Sequence, residues 1–217
     1  MKKALITIGI FSVFLIGFLI FNGNDKDQNP VEAQIDNGME DHLFGENLIV
    51  DAKMPEFPDL DTVEENSDII IVGKKVQQQD PTVLYGPEGR INIAYTLSSI
   101  RIEKVISGEA ITEGTEITIL ENSAYNAKIG YIYNIAGYEL MQTNNEYLLF
   151  LRASTTDPYY LVTGVNYGKV PLQEEKSALF TNLKKANSDY AKEVLSNIEE
   201  INLVREEALK KYASSIK

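Results

Sequence analysis

The chain predicts a mainly β protein with α: a small five-stranded β-barrel, then one long amphipathic helix, with an N-terminal membrane segment ahead of both. Three observations carry this. Between Ser67 and Leu172, five short runs rich in β-branched and aromatic residues are separated by Gly, Pro, Asn and Asp. After about Gln173 the period changes, and Tyr190, Val194, Ile198, Ile201, Val204, Ala208 and Tyr212 recur every three or four residues. At the other end, Lys2 and Lys3 precede an apolar run from Ala4 to Phe21. These features divide the chain into residues 1–21, 22–66, 67–172 and 173–217.

A helix over the apolar run would span roughly 27 Å, close to the hydrocarbon thickness of a bilayer. The two lysines should stay inside, which puts Asn22 and everything after it outside. An uncleaved single-span anchor and a signal peptide both fit. The length favours the anchor, with Val31-Glu32-Ala33 as the candidate late cleavage site of the alternative. The expected location is therefore the cell membrane with the C-terminal domain outside, or the secreted fraction.

Residues 22–66 read as a polar acidic tether, rich in Asp, Asn, Glu and Pro, with short apolar patches such as Leu48-Ile49-Val50. Asp25, Asp27 and Asn29 imitate the opening of a calcium loop. Pro30 stands where that loop needs glycine and Asp36 where it needs glutamate, so no metal is expected there. The single histidine, His42, falls in this tether and is expected to be solvated.

Strand one is read over Asp68–Val76. Ile69-Ile70-Ile71-Val72 is apolar on both faces, which marks a central strand, and Gly73 suggests a bulge. Gln77–Gly89 reads as a long loop. Strand two runs from about Ile91 to Ile106, bent where Ser98-Ser99 breaks the alternation. Strand three is Thr115–Leu120 and strand four Glu146–Leu151. Strand five is Tyr159–Val165, with a continuation toward Val170. Asn122–Tyr138 is the least regular stretch and carries Tyr125, Tyr131, Tyr133 and Tyr138. The terminal helix begins at Asn187 or Ser188, a shorter helical turn before it, and its apolar stripe is expected to pack on the barrel.

Composition limits the chemistry. A net charge of −12 repels phosphate backbones, so nucleic acid is an unfavourable partner. There is no cysteine, which removes disulfides, thiolate nucleophiles and cysteine metal sites. With His42 alone, Ser-His-Asp and Cys-His sites have no base, and the phosphate-cradling glycine motifs are absent. Glu103, Glu121, Glu139 and Glu146 are the carboxylates from which an acid–base pair could be drawn, although acidic residues on strand edges usually face water. No catalytic residue, cofactor or metal is assigned.

The order of these motifs resembles the netrin-like modules, which include the tissue inhibitors of metalloproteinases. Ser67-Asp68-Ile69-Ile70-Ile71-Val72-Gly73-Lys74 looks like their first barrel strand. Tyr95-Thr96-Leu97-Ser98-Ser99-Ile100-Arg101-Ile102 and Lys104-Val105-Ile106-Ser107-Gly108 look like the second, Thr115–Leu120 like the third, and Glu146-Tyr147-Leu148-Leu149-Phe150 like the fourth. The resemblance covers residues 67–172 and implies an OB-like barrel; similar cysteine-free exported proteins occur in Gram-positive bacteria. Those inhibitors chelate zinc through an N-terminal cysteine that this chain lacks, so the resemblance implies a fold and not that mechanism.

The expected function is non-catalytic binding of an extracellular or membrane protein, with modulation of an enzyme among its forms. The binding candidates are Tyr125, Tyr131, Tyr133 and Tyr138, because tyrosine gives rigid contact area with a polar handle. A structural envelope protein without a specific ligand is the alternative, and a carboxylate-based hydrolase comes last.

Overall fold

The computed structural model describes residues 41–50, 57–86, 91–109 and 111–216. The apolar run, the cleavage site and the Asp25-Asp27-Asn29 segment lie outside the described residues. In chain order the elements are β1 (Asp41–Phe44), β2 (Asn47–Val50), α1 (Leu60–Glu65), β3 (Ile69–Gln78), β4 (Thr82–Tyr85) and β5 (Ile91–Ser107). There follow β6 (Glu116–Glu121), β7 (Ser123–Asn126), β8 (Tyr131–Ile135), β9 (Glu146–Ala153), β10 (Tyr160–Val162) and β11 (Lys169–Pro171). The chain ends with α2 (Ala178–Lys185), α3 (Asp189–Lys211) and α4 (Ala213–Ile216).

Five of these strands close a mixed barrel. β3 pairs antiparallel with β5, β5 with β6, β10 with β9, and β9 with β3. The pairing of β6 with β10, Ile119 opposite Tyr160, is parallel and completes the circle. The four-residue run Ile69–Val72 is buried on both faces because β3 lies between two layers. Ile69 and Ile71 point into the barrel beside Ile100, Ile102, Ile119 and Leu149. Ile70 points outward into a second core with Phe150, Val170, Ile201 and Val204. A register shift falls at Val72/Gly73, and a side chain at Gly73 would meet Ile100 Cγ2 at 2.5 Å, so close packing fixes glycine there.

The fifth strand is shorter than expected. β10 stops at Val162, Val165 takes a left-handed φ of 62°, and the chain rejoins β9 only at β11, opposite Tyr147–Leu149. The return is tight: a Cβ at Gly168 would stand 2.5 Å from the Phe150 carbonyl oxygen.

Two expectations need correction. Within the segment read as a tether, Asp41–Val50 forms a hairpin and Leu60–Glu65 a helix capped by Asp59. The composition argument treated the segment alone. Its apolar residues are buried by chain that comes much later: β2 pairs in parallel with β8, giving a second sheet in the order β1-β2-β8-β7. Phe44 and Ile49 pack against Leu179, Leu183, Ala191 and Val194 of the terminal helices. His42 is half-buried, and its ring stacks on Tyr190 with centroids 3.6 Å apart. The second correction concerns Gln77–Gly89, where Thr82–Tyr85 forms β4 and pairs with Ile91–Tyr95, lengthening the β3–β5 hairpin beyond the barrel. Thr-Val-Leu-Tyr is β-prone, and the flanking Pro81 and Gly86 mark its ends rather than a loop.

α3 starts at Ser188, whose hydroxyl accepts from the Ala191 N–H at 3.1 Å. It buries Ala191, Val194, Ile201, Val204 and Ala208, the first two against the second sheet and the last three against the outside of the barrel.

Candidate functional site

The barrel interior changes character along its length. On β6 the inward row runs Ile117, Ile119, Glu121; on β5, Ile102, Ile100, Ser98, Thr96; on β3, Ile71, Gly73, Lys75. One end is therefore apolar and the other carries an ion pair, with Lys75 and Glu121 both at 0% exposure. Glu121 was read as a water-facing strand residue. Two-residue periodicity instead carries it into the barrel, in line with the isoleucines before it.

Every polar atom of the pair has partners. Lys75 Nζ donates to Glu121 Oε1 at 2.7 Å, to the Met141 carbonyl at 2.7 Å and to Gln78 Oε1 at 2.9 Å. Ser98 Oγ donates to Glu121 Oε1 at 2.5 Å. Tyr138 Oη at 3.1 Å and the Met141 N–H at 2.7 Å donate to Oε2. All three ammonium donors are used and the carboxylate accepts four bonds, which offsets much of the cost of taking both charges out of water.

Tyr138 joins this pole to a second buried cation. Its hydroxyl faces Glu121, and Lys169 Nζ lies 4.1 Å from the centre of its ring. Lys169 donates to the Glu139 carbonyl, and among the described residues no carboxylate is in hydrogen-bond contact with it. Burial, then the neighbouring Arg205, push its pKa down to about 8, while Glu121, Glu175 and Glu139 oppose the shift. Burial also lowers Arg205, which reaches the Asn166 carbonyl at 3.4 Å. Tyr138 is held well above the usual phenol range, first by burial and then by Glu121. Tyr147 is raised in the same way, by burial and by its hydrogen bond to Glu175.

The polar groups of this interior bond to one another. A general acid or base needs a reachable proton, and here the carboxylate, amine and hydroxyls are turned on each other. Among the described residues no three His, Asp or Glu side chains come together to hold a metal. A groove of about 500 Å³ lies between α1 and α3, lined by Asp59, Leu60, Asp61, Glu207, Lys210 and Lys211. Asp59 there is occupied as a helix cap.

The four tyrosines do not share a surface. Tyr125 is half-exposed on β7 and pairs with Ile132, which puts it on the opposite face from Tyr131 and Tyr133, both half-buried. Tyr138 is fully buried and is corrected from a binding candidate to an interior residue.

A cluster of exposed apolar residues lies on the β4–β5 hairpin, whereas Leu43, Leu203 and Leu209 are exposed on β1 and α3. Leu84 is 50% exposed and its cross-strand partner Ile93 44%. Tyr85 beside them is also exposed, its hydroxyl hydrogen-bonded with the Asn126 side chain and its ring 4.7 Å from Lys128 Nζ. Ile129, in the turn between β7 and β8, is exposed as well. The signal in the sequence was the pair of β-prone runs on either side of Gly86-Pro87-Glu88-Gly89.

Compared with models of known protein families and with curated proteins, the chain matches none.

Proposed function

We propose that this chain is a non-catalytic binding module that recognises a protein outside the cytoplasm, built on an OB-like barrel of the netrin-like kind. Support for the fold reading is the strand circuit: strands one, two and three in antiparallel sequence, three parallel with five, five beside four, and four beside one. The stretches that resemble netrin-like modules fall on β3, β5, β6 and β9 in that order. Location outside the cytoplasm rests on the N-terminal apolar run and its two lysines.

The observation that carries the recognition reading is the β4–β5 hairpin, on which Leu84, Tyr85 and Ile93 are exposed together. Clustered exposed apolar side chains on a rigid projection are the usual mark of a protein contact. A photo-crosslinking amino acid placed at Leu84 in the full chain, in its native envelope, tests this. A discrete adduct from position 84 is expected, with none from Leu203, which is more exposed but lies on the outer side of α3. Equal labelling at both positions, or none at either, would turn the reading toward a structural envelope protein.

A further inference from the structure

We infer that the β4 edge is the contact between two copies of this chain, which join across a two-fold axis by pairing β4 with β4. The inference rests on the hairpin reading above and names its partner.

Three observations lead there. β4 pairs with β5 on one side and with no other described strand, so its outer backbone groups are open to strand addition. Natural edge strands are usually protected by charges or by proline within the strand. Thr82-Val83-Leu84-Tyr85 has neither; Pro81 stands just before it. The third observation is electrostatic. Residues 81–100 hold only two charged side chains, Glu88 and Arg90, of opposite sign, in a chain of net charge −12. Two such acidic bodies repel each other, and this hairpin is a place where they can touch without setting carboxylate against carboxylate. Nothing along it selects a charged foreign partner.

Strand pairing about a two-fold axis is self-complementary. An antiparallel register centred on Leu84 sets the two Leu84 side chains opposite each other, with Ile93 of each copy outside them on the same face. Leu84 and Ile93 of the two copies then form one stripe across a continuous four-strand ribbon.

The test uses the full chain in detergent micelles. Native mass spectrometry should show a species of twice the 24.3 kDa chain mass. Leu84→Glu and Leu84→Lys should each weaken the dimer by about tenfold or more, because like charges then face each other. Mixing the two variants should restore a heterodimer. Circular dichroism of each variant should match the parent, since Leu84 is exposed. A monomer at all concentrations overturns the inference, as does a dimer indifferent to both substitutions, such as one held by the N-terminal segment. The crosslink at position 84 separates this from the broader reading. An adduct at twice the chain mass supports the inference; an adduct to a different protein overturns it and leaves the recognition reading standing.

Discussion

Among the described residues two lysines are buried, and they are treated in opposite ways. Lys75 sits in the barrel against a carboxylate, with each of its three protons donated. Lys169 sits a short distance away against a carbonyl and an aromatic face, with Arg205 as its cationic neighbour. Both are almost wholly removed from water. Lys75 has a counter-charge placed in contact, whereas Lys169 has none among the described residues and burial lowers its pKa.

The most damaging way to break the comparison is to remove the carboxylate. Glu121→Gln should cost about 3–5 kcal/mol, because Lys75 loses its counter-charge and is left with neutral acceptors alone. The urea midpoint followed by circular dichroism measures this. A loss under about 1 kcal/mol would mean that water reaches the pole and that the pair is not desolvated. Lys75→Met should cost somewhat less, about 3 kcal/mol, since Glu121 still accepts from Ser98, Tyr138 and the Met141 N–H. The double variant should be more stable than the sum of the two losses predicts, because neither charge is left alone.

That pole also shows what could be read in advance. The barrel strands were legible because alternation and β-branched runs are local properties, and the Ser98-Ser99 break in β5 was visible. Why Ser98 breaks the pattern was not, because its partner Glu121 lies 23 positions further on. A glutamate ending a strand looks the same in sequence whether it meets water or a lysine. The hairpin at Asp41–Val50 was hidden for a related reason: its pairing partner β8 and its core partners in α2 and α3 are remote in the chain. α3 needed no such partner to be recognised, since its period and its Ser188 cap are written within one segment. The tyrosines misled because their residue type was legible and their facing was not.

Lys169 provides the pH test. The unfolded chain keeps this proton up to about 10.5, whereas the folded chain releases it near pH 8. Between those values the unfolded state binds more protons, so this group makes stability rise with pH across the window. Below pH 8 both states are charged and the burial penalty is complete. Lys169→Met should therefore be more stable than the parent at pH 7, by up to about 3 kcal/mol, and the advantage should shrink as pH climbs toward 10.5. Urea midpoints of both proteins across that range check it. An advantage that stays constant with pH would show that Lys169 is neutralised by contacts rather than penalised by burial.

The smallest effect comes from the residue the two sites share. Tyr138→Phe keeps the ring beneath Lys169 and removes the hydroxyl that donates to Glu121 at 3.1 Å. Glu121 retains its other three donors, so the cost should be about 1–2 kcal/mol. The two lysines should then separate cleanly. Lys169 should titrate as before, because burial and Arg205 set its position and neither changes. A cycle pairing Tyr138→Phe with Glu121→Gln should show coupling, and one pairing it with Lys169→Met should show almost none. Coupling to Lys169 instead would mean that the phenol reaches that cation through its dipole, and that the two burial solutions belong to one electrostatic unit.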